Sequence, residues 1–300
     1  MRLTFLGTSA GESYPALWCH CPNCEYAREH GGRNIRQNSC AFLDDDVMLD
    51  LSSHAFQSAL RFQVDITHMK YLFITHDHRD HLDTQHLTWR GKPFANGGTC
   101  EIQEPFDMEH SMGEMGARHT PLPFLKIYGH ESVMEELRKN PRFREAGMEQ
   151  QYDMSFYPLH RGETVRCDGT LQVTAVVSHH SRPGSVYNYI IERNGKTLLY
   201  ALDCGGYDED MLTIIRGHRF DCVVLEGTFG LMPVSFDMHQ NLEKNLQMMK
   251  FFEDNHLWAG AQNFVLSHMS PHWTPPYDQY SKMLGQYGIQ VAYDGMVIEF

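Results

Sequence analysis

Three histidines and two aspartates fall within the seven residues Thr75-His76-Asp77-His78-Arg79-Asp80-His81. They follow the apolar run Tyr71-Leu72-Phe73-Ile74, which reads as a short buried strand. A strand ending this way throws its polar groups into the loop at the sheet edge. Neutral imidazole and carboxylate are ligand types for Zn, Mn and Fe. Burying them together without a cation is costly, so a solvated His-rich loop is the competing reading. The downstream sequence favours the metal, because it repeats the same setting. The β-rich run 173–178 ends in His179-His180, the apolar run from Lys196 ends at Asp203 before Cys204-Gly205-Gly206, and Asn263-Phe264-Val265-Leu266-Ser267 ends at His268. An isolated Asp after a strand is ordinarily a turn or cap residue. Several such ends behind one His-x-His-x-Asp-His loop imply one sheet edge that gathers them. Two metals there would lower the pKa of a shared water.

A second cluster, Cys19-His20-Cys21-Pro22-Asn23-Cys24, places three thiols within six residues. The tight spacing and odd number speak against disulfides. Three thiolates and one further ligand would make a closed tetrahedral zinc site; three reduced cysteines in a loop is the alternative. A third candidate is His239, in Phe236-Asp237-Met238-His239, just before an amphipathic run over 242–252 with apolar residues at helical spacing. It therefore stands near a helix start, where a phosphate could sit. An exposed histidine is the plain alternative.

The elements that must position these groups are readable in outline. Residues 1–90 read as strands with short helices, one over 55–62 with His54 or Ser53 near its cap. Residues 91–125 change character, with Gly97-Gly98, several Met and an acidic stretch, and are expected to form a substrate-facing lid. Helices are expected over 132–139, 208–216 and 277–287, and strands through 156–205 and 221–225. Asn194-Gly195 marks a hairpin between two of those strands.

With these residues in place, the chain resembles the metallo-β-lactamase superfamily over most of its length. The resemblance opens at Leu3-Thr4-Phe5-Leu6-Gly7-Thr8-Ser9-Ala10-Gly11, includes Val47-Met48-Leu49-Asp50 and closes at Ala292-Tyr293-Asp294-Gly295-Met296. It implies an α/β fold, the αββα sandwich of two mixed sheets flanked by helices, as one metallo-hydrolase domain over 1–300. It implies that His76, His78 and His180 hold one metal, that Asp80, His81 and His268 hold a second, and that Asp203 bridges them. Asp50 would support a ligand histidine from behind. His180 is preferred to His179 because it precedes Ser181, as in related sequences.

Within the superfamily, the Cys cluster behind a Gly-Thr-x-x-Gly start is similar to the branch of the cyclic-phosphate phosphodiesterase of the carbon–phosphorus lyase pathway. A branch that resembles the pyrroloquinoline quinone protein B shares it. The resemblance implies one structural Zn on Cys19, Cys21, Cys24 and His272, with Pro271 lengthening the usual spacing and His20 as a substitute for His272. It also implies that His239 faces the substrate. The expected function is a metal-dependent hydrolase, a phosphodiesterase on a small open or cyclic phosphate ester. A metal-bridging hydroxide attacks, two divalent ions (Zn, Mn or Fe) are the cofactors, and Asp80 and His239 are catalytic, with His239 protonating the leaving alkoxide. The alternatives are a lactonase- or thioesterase-type metallo-hydrolase and a non-hydrolytic cofactor-biosynthesis protein.

Composition sets the remaining bounds. A chain of 300 residues with 42% hydrophobic and 21% charged residues can bury a substantial core. A net charge of −13 opposes nucleic-acid binding, which needs clustered Lys and Arg. Bound cations would still admit a small anionic substrate. The eight cysteines do not form a secretory framework, the N-terminus lacks an apolar signal core, and no run reaches membrane-span length. A cytoplasmic location is therefore expected, with no membrane partner. A homodimer is implied only by family analogy.

Overall fold

The computed structural model describes residues 1–90, 122–234 and 237–300. Its strands, in chain order, are β1 (Arg2–Gly7), β2 (Cys40–Leu43), β3 (Val47–Leu49), β4 (Tyr71–Phe73), β5 (Leu125–Gly129), β6 (Met154–Pro158) and β7 (Thr164–Arg166). They continue with β8 (Leu171–Val177), β9 (Tyr187–Arg193), β10 (Lys196–Ala201), β11 (Phe220–Glu226), β12 (Trp258–Ser267), β13 (Gln290–Val291) and β14 (Val297–Glu299). Among the described residues they form two seven-stranded sheets, in the orders β14-β1-β2-β3-β4-β5-β6 and β13-β12-β11-β10-β9-β8-β7.

Both sheets are mixed in the same way. From β14 inward and from β7 inward, antiparallel pairings come first and parallel pairings follow, starting at β3/β4 and at β10/β11. The consequence is directional. β3 and β4 point the same way, and so do β8, β10, β11 and β12. Their C-terminal ends therefore share one edge of each sheet, the end at which open α/β sheets bind ligands.

The period-two pattern of the strands builds the layers. Ala41, Leu43, Val47, Leu49, Tyr71 and Phe73 share a core with Val173, Ala175, Ile191, Leu199 and Val223 of the second sheet. The alternate residues Cys40, Phe42, Met48, Leu72 and Ile127 pack outward against Ala55, Ala59, Val133, Met134 and Leu137. Those outer partners belong to helices Ala55–Arg61 and Glu131–Lys139. Helices Glu209–Arg216, Leu242–Asp254 and Tyr277–Gly285 bury Met211, Ile215, Phe252, Tyr280 and Leu284 against the second sheet. The result is the expected sandwich of two mixed sheets flanked by helices.

Local expectations agree with small shifts. The hairpin pairs Arg193 with Lys196, and Asn194 and Gly195 take φ of 52° and 74°, the left-handed turn for which Asn-Gly is suited. His54 stands at the start of Ala55–Arg61 but makes no capping bond, because it is already helical there and its Nδ1 accepts from the Asn38 N–H at 3.4 Å. The lid expected over 91–125 lies, up to residue 121, outside the described residues, and Leu125 begins β5. Among the described residues, no helix is long and apolar enough to cross a membrane.

Candidate metal centre

The strand-end donors meet. Asp203, after β10, is central: its Oδ2 lies 2.6 Å from His81 Nε2, 3.3 Å from His268 Nε2 and 3.7 Å from His76 Nε2, and its Oδ1 lies 3.8 Å from His180 Nε2. Asp80 Oδ2 reaches His81 Nε2 at 3.4 Å and His268 Nε2 at 3.6 Å. Donor atoms of His76, His78 and His180 lie within 4.8 Å of one another, as do those of Asp80, His81 and His268, and those of His76, His81 and Asp203. Each of the two trios that the resemblance implies is therefore gathered in space, with Asp203 against both. His180 faces this cluster. His179 turns away, its Nδ1 2.7 Å from Asp237 and its Nε2 2.8 Å from Asp208.

The outer nitrogens are held from behind, which aims the inner ones. His81 Nδ1 meets Asp50 Oδ2 at 2.8 Å, and Asp50 Oδ1 accepts from the Thr75 N–H and hydroxyl at 2.7 and 2.9 Å. His268 Nδ1 meets Thr228 Oγ1 at 2.9 Å, His180 Nδ1 donates to the Met238 carbonyl at 3.0 Å, and His76 Nδ1 meets Thr75 Oγ1 at 3.1 Å. Such partners set the tautomer and orientation of an imidazole ligand. Three of the strand-end residues also take left-handed backbone conformations, Asp50 at φ 60°, Asp203 at 50° and His268 at 57°. These conformations are costly for non-glycine residues and cluster at functional sites.

The electrostatics fit a cation. His76 Nε2 is buried without a hydrogen-bond partner, and Asp203 Oδ2, although 2.6 Å from His81 Nε2, makes no well-directed hydrogen bond. Burial opposes charge on His81, yet Asp50, Asp80 and Asp203 around it push its pKa well up. Burial would raise Asp203, but His268 and His81 hold it well below the carboxylate range. Burial lowers His76 and His180 and keeps them in the neutral form that a metal takes. An orphaned imidazole nitrogen and a carboxylate ringed by imidazoles at these distances are a donor set for divalent ions.

His239 joins the cluster from the loop before Leu242–Asp254. Its Nδ1 lies 3.3 Å from Asp203 Oδ1 and 3.0 Å from both carboxylate oxygens of the fully buried Glu226. Burial opposes its charge, but Glu226 and then Asp203 take its pKa up to about 9. Gly205 allows this approach, since a Cβ there would sit 2.3 Å from the Asp237 carbonyl carbon. Glu226 escaped the sequence reading, although it too ends an apolar strand, β11. Its signal was the one that found Asp203.

The thiol cluster meets the loop that follows His268. Sγ of Cys19 and Cys21 and a ring nitrogen of His272 lie within 4.8 Å of one another, with Cys19 Sγ 3.6 Å from His272 Nδ1. Asn23 Nδ2 donates to the Pro271 and Thr274 carbonyls at 3.0 and 3.1 Å and ties the two loops together. Burial alone would raise Cys21, but hydrogen bonds from the Cys24 backbone, Cys19, Cys24 and His272 bring it to about 7. Cys24 is buried at the start of helix Pro22–His30, and burial pushes it up to about 12. His20 points elsewhere, to Glu25 at 2.8 Å. The described cysteines are all free, and Cys19, Cys21 and His272 form a three-donor group that could hold a metal ion, with Cys24 against Cys21.

In front of the strand-end donors lies a pocket of about 350 Å³. Asp80, His180, Asp203, His239 and His268 form its floor, and Glu12, Phe229, Met238 and Trp273 stand around it.

No curated protein sequence matches the chain. Among solved structures, a diphosphatase from the PhnP family shares 19% identity at a TM-score of 0.70, over 100% of this chain and 97% of that one. Zn(2+)-bound PqqB from Methylobacterium extorquens shares 18% at 0.68, over 100% of both chains. The short form of human tRNase Z shares 17% at 0.59, over 100% of this chain and 99% of that one. At these identities the likeness is one of fold. The sequence profile of the beta-lactamase superfamily domain matches residues 106–269, more than half the chain and including His180, Asp203 and His268. On the strength of that match and the shared sandwich, the chain belongs to the metallo-β-lactamase superfamily.

Proposed function

We propose that the chain is a metal-dependent hydrolase, and within that class a phosphodiesterase acting on a small, open or cyclic phosphate ester. Superfamily membership supports the hydrolase class. The observation that carries the finer reading is the His239–Glu226 pair beside the strand-end donors, an acid set against a two-metal donor cluster. His76, His78 and His180 would hold one divalent ion, and Asp80, His81 and His268 the other, with Asp203 between. When bound, such ions lower the pKa of water and neutralise phosphoryl charge.

The chain's own residues do the rest. Asp50, Thr75 and Thr228 fix the imidazoles, so the donors need little reorganisation. Glu226 keeps His239 protonated and occupies Nδ1, which leaves Nε2 for the pocket that His239 lines. From there it can give its proton to the departing alkoxide as the P–O ester bond breaks and the oxygen of a water that has lost a proton to solvent bonds to phosphorus; His239 then regains its proton from solvent. Cys19, Cys21, Cys24 and His272 would hold a separate structural zinc.

The solved neighbours include a diphosphatase and a tRNase, so phosphorus–oxygen chemistry is represented on this fold. A net charge of −13 disfavours long RNA as the substrate. The test is metal analysis followed by turnover of phosphodiesters, phosphomonoesters, lactones and thioesters by the metal-loaded protein. Turnover confined to lactones or thioesters would overturn the phosphodiesterase reading.

A further inference from the structure

The wall of the pocket carries information that the metal donors do not. Among the described residues, no lysine or arginine lines it. Glu12 does, and its carboxylate is held from behind. Ser270 Oγ donates to Oε2 at 3.3 Å, and His272 Nε2 lies 3.3 Å from Oε1. Each carboxylate oxygen keeps acceptor capacity for a ligand. Trp273, the residue after the His272 that meets Glu12, lines the same pocket, 42% exposed, with Phe229 set edge-on to the indole at 6.5 Å and 71°. Met238, 40% exposed, extends the apolar side.

A carboxylate next to an exposed indole is the chemistry that recognises an ammonium group, through charge and through the electron-rich ring face. The same wall repels an anion. A second phosphate on the substrate would meet Glu12, and no lysine or arginine among the described residues lines the pocket to receive it. Resting on the phosphodiesterase reading, we propose that this pocket selects a phosphodiester whose second alcohol carries an ammonium group, and that Glu12 and Trp273 are its specificity determinants. The substrate is then a zwitterion, with its phosphate at the metal donors and its cation between Glu12 and Trp273.

The thiol cluster acquires a role in this arrangement. His272 presents Nδ1 to Cys19 and Nε2 to Glu12, so the loop that holds the thiols also holds the recognising carboxylate. Glu12 is fixed by a separate structural unit and not by the substrate.

The experiment uses the metal-loaded full chain and three 4-nitrophenyl phosphodiesters. Their second alcohols are 2-aminoethanol, ethylene glycol, and ethylene glycol carrying a terminal phosphate. The ammonium ester should have a kcat/KM about tenfold above the hydroxyl ester, with the phosphate-bearing ester lowest. Glu12→Gln should bring the ammonium-to-hydroxyl ratio close to one. If that variant does not fold, Trp273→Leu reads the same ratio. A phosphate-bearing ester that matches the ammonium ester overturns the proposal, and so does a Glu12→Gln loss equal on all three. Calorimetric binding of the same esters separates the two readings. If none turns over but the ammonium ester binds tightest and loses that edge in Glu12→Gln, the subsite stands and the phosphodiesterase reading falls.

Discussion

The Asp50 carboxylate and the His81 imidazole are locked together, Oδ2 to Nδ1 at 2.8 Å, with neither side chain exposed to solvent. Asp50 also receives both Thr75 donors, so one carboxylate orients the loop and one of its imidazoles. Asp50→Asn keeps the shape and removes the charge, and asparagine tolerates the left-handed backbone there. Metal affinity should fall roughly 10- to 100-fold, read by competition against a chromogenic chelator. Unchanged affinity would show that Asp50 serves the fold alone.

Asp203 touches both donor groups and should be the most sensitive of them. Asp203→Asn should lower metal content and hydrolysis together. His180→Ala should do the same, whereas His179→Ala should retain metal, because His179 is turned to Asp208 and Asp237. Full metal content with unchanged turnover in Asp203→Asn would reject the two-metal assignment. Metal loss in His179→Ala and not in His180→Ala would exchange their roles.

Cys21→Ser should remove about one zinc per chain, measured by elemental analysis of freshly reduced protein. A closed zinc site contributes directly to folding, so stability to urea should drop by more than about 2 kcal/mol. Absence of thiolate-bound zinc in the parent protein would refute this assignment.

His239→Ala should separate leaving groups. With an alkoxide leaving group, turnover should fall roughly 10²- to 10⁴-fold, the usual range for a lost general acid. A 4-nitrophenolate needs no proton and should lose far less. Glu226→Gln should follow the same pattern more weakly, because it acts through His239. Equal losses on both substrates would make His239 a binding group.

Asp294 supplies a pH signature of stability away from the metal donors. Burial pushes its carboxyl up to about 6, despite hydrogen bonds from Thr8 and the Gln37 N–H and the charge of Arg36. The folded value lies above the unfolded one, so its contribution is fully present below about pH 4 and is lost as pH rises through about 6. The size is on the order of 3 kcal/mol. Asp294→Asn should flatten that part of the stability-versus-pH curve in urea titrations; an unaltered curve would place the proton elsewhere.

The candidate donor positions were legible from local pattern, and the sandwich through the family resemblance that those residues carry. An apolar run that stops at His or Asp names a strand end, and parallel order brings such ends together, as it does for Asp203 and His268. Partners of partners were harder to read. Thr75 and Thr228 act through single hydroxyls, which carry no signal in a β-rich stretch. Glu226 did carry one, but a lone carboxylate after a strand reads as a turn residue until Gly205 is seen to admit His239 beside it. The role of Glu12 depends on a loop more than 250 positions away, at Ser270 and His272, which no spacing rule connects.

The donors are divided between the layers. His76, His78, Asp80 and His81 hang from the first sheet, and His180, Asp203 and His268 from the second. An ion shared by such a set would act as a clasp across the sandwich rather than as a staple within one loop. Its binding free energy is then linked to keeping the two sheets docked, and saturation raises the resistance of that interface to opening. Amide hydrogens near the ends of β4, β10 and β12 should gain protection together on loading, and chelation should release both layers in one cooperative step.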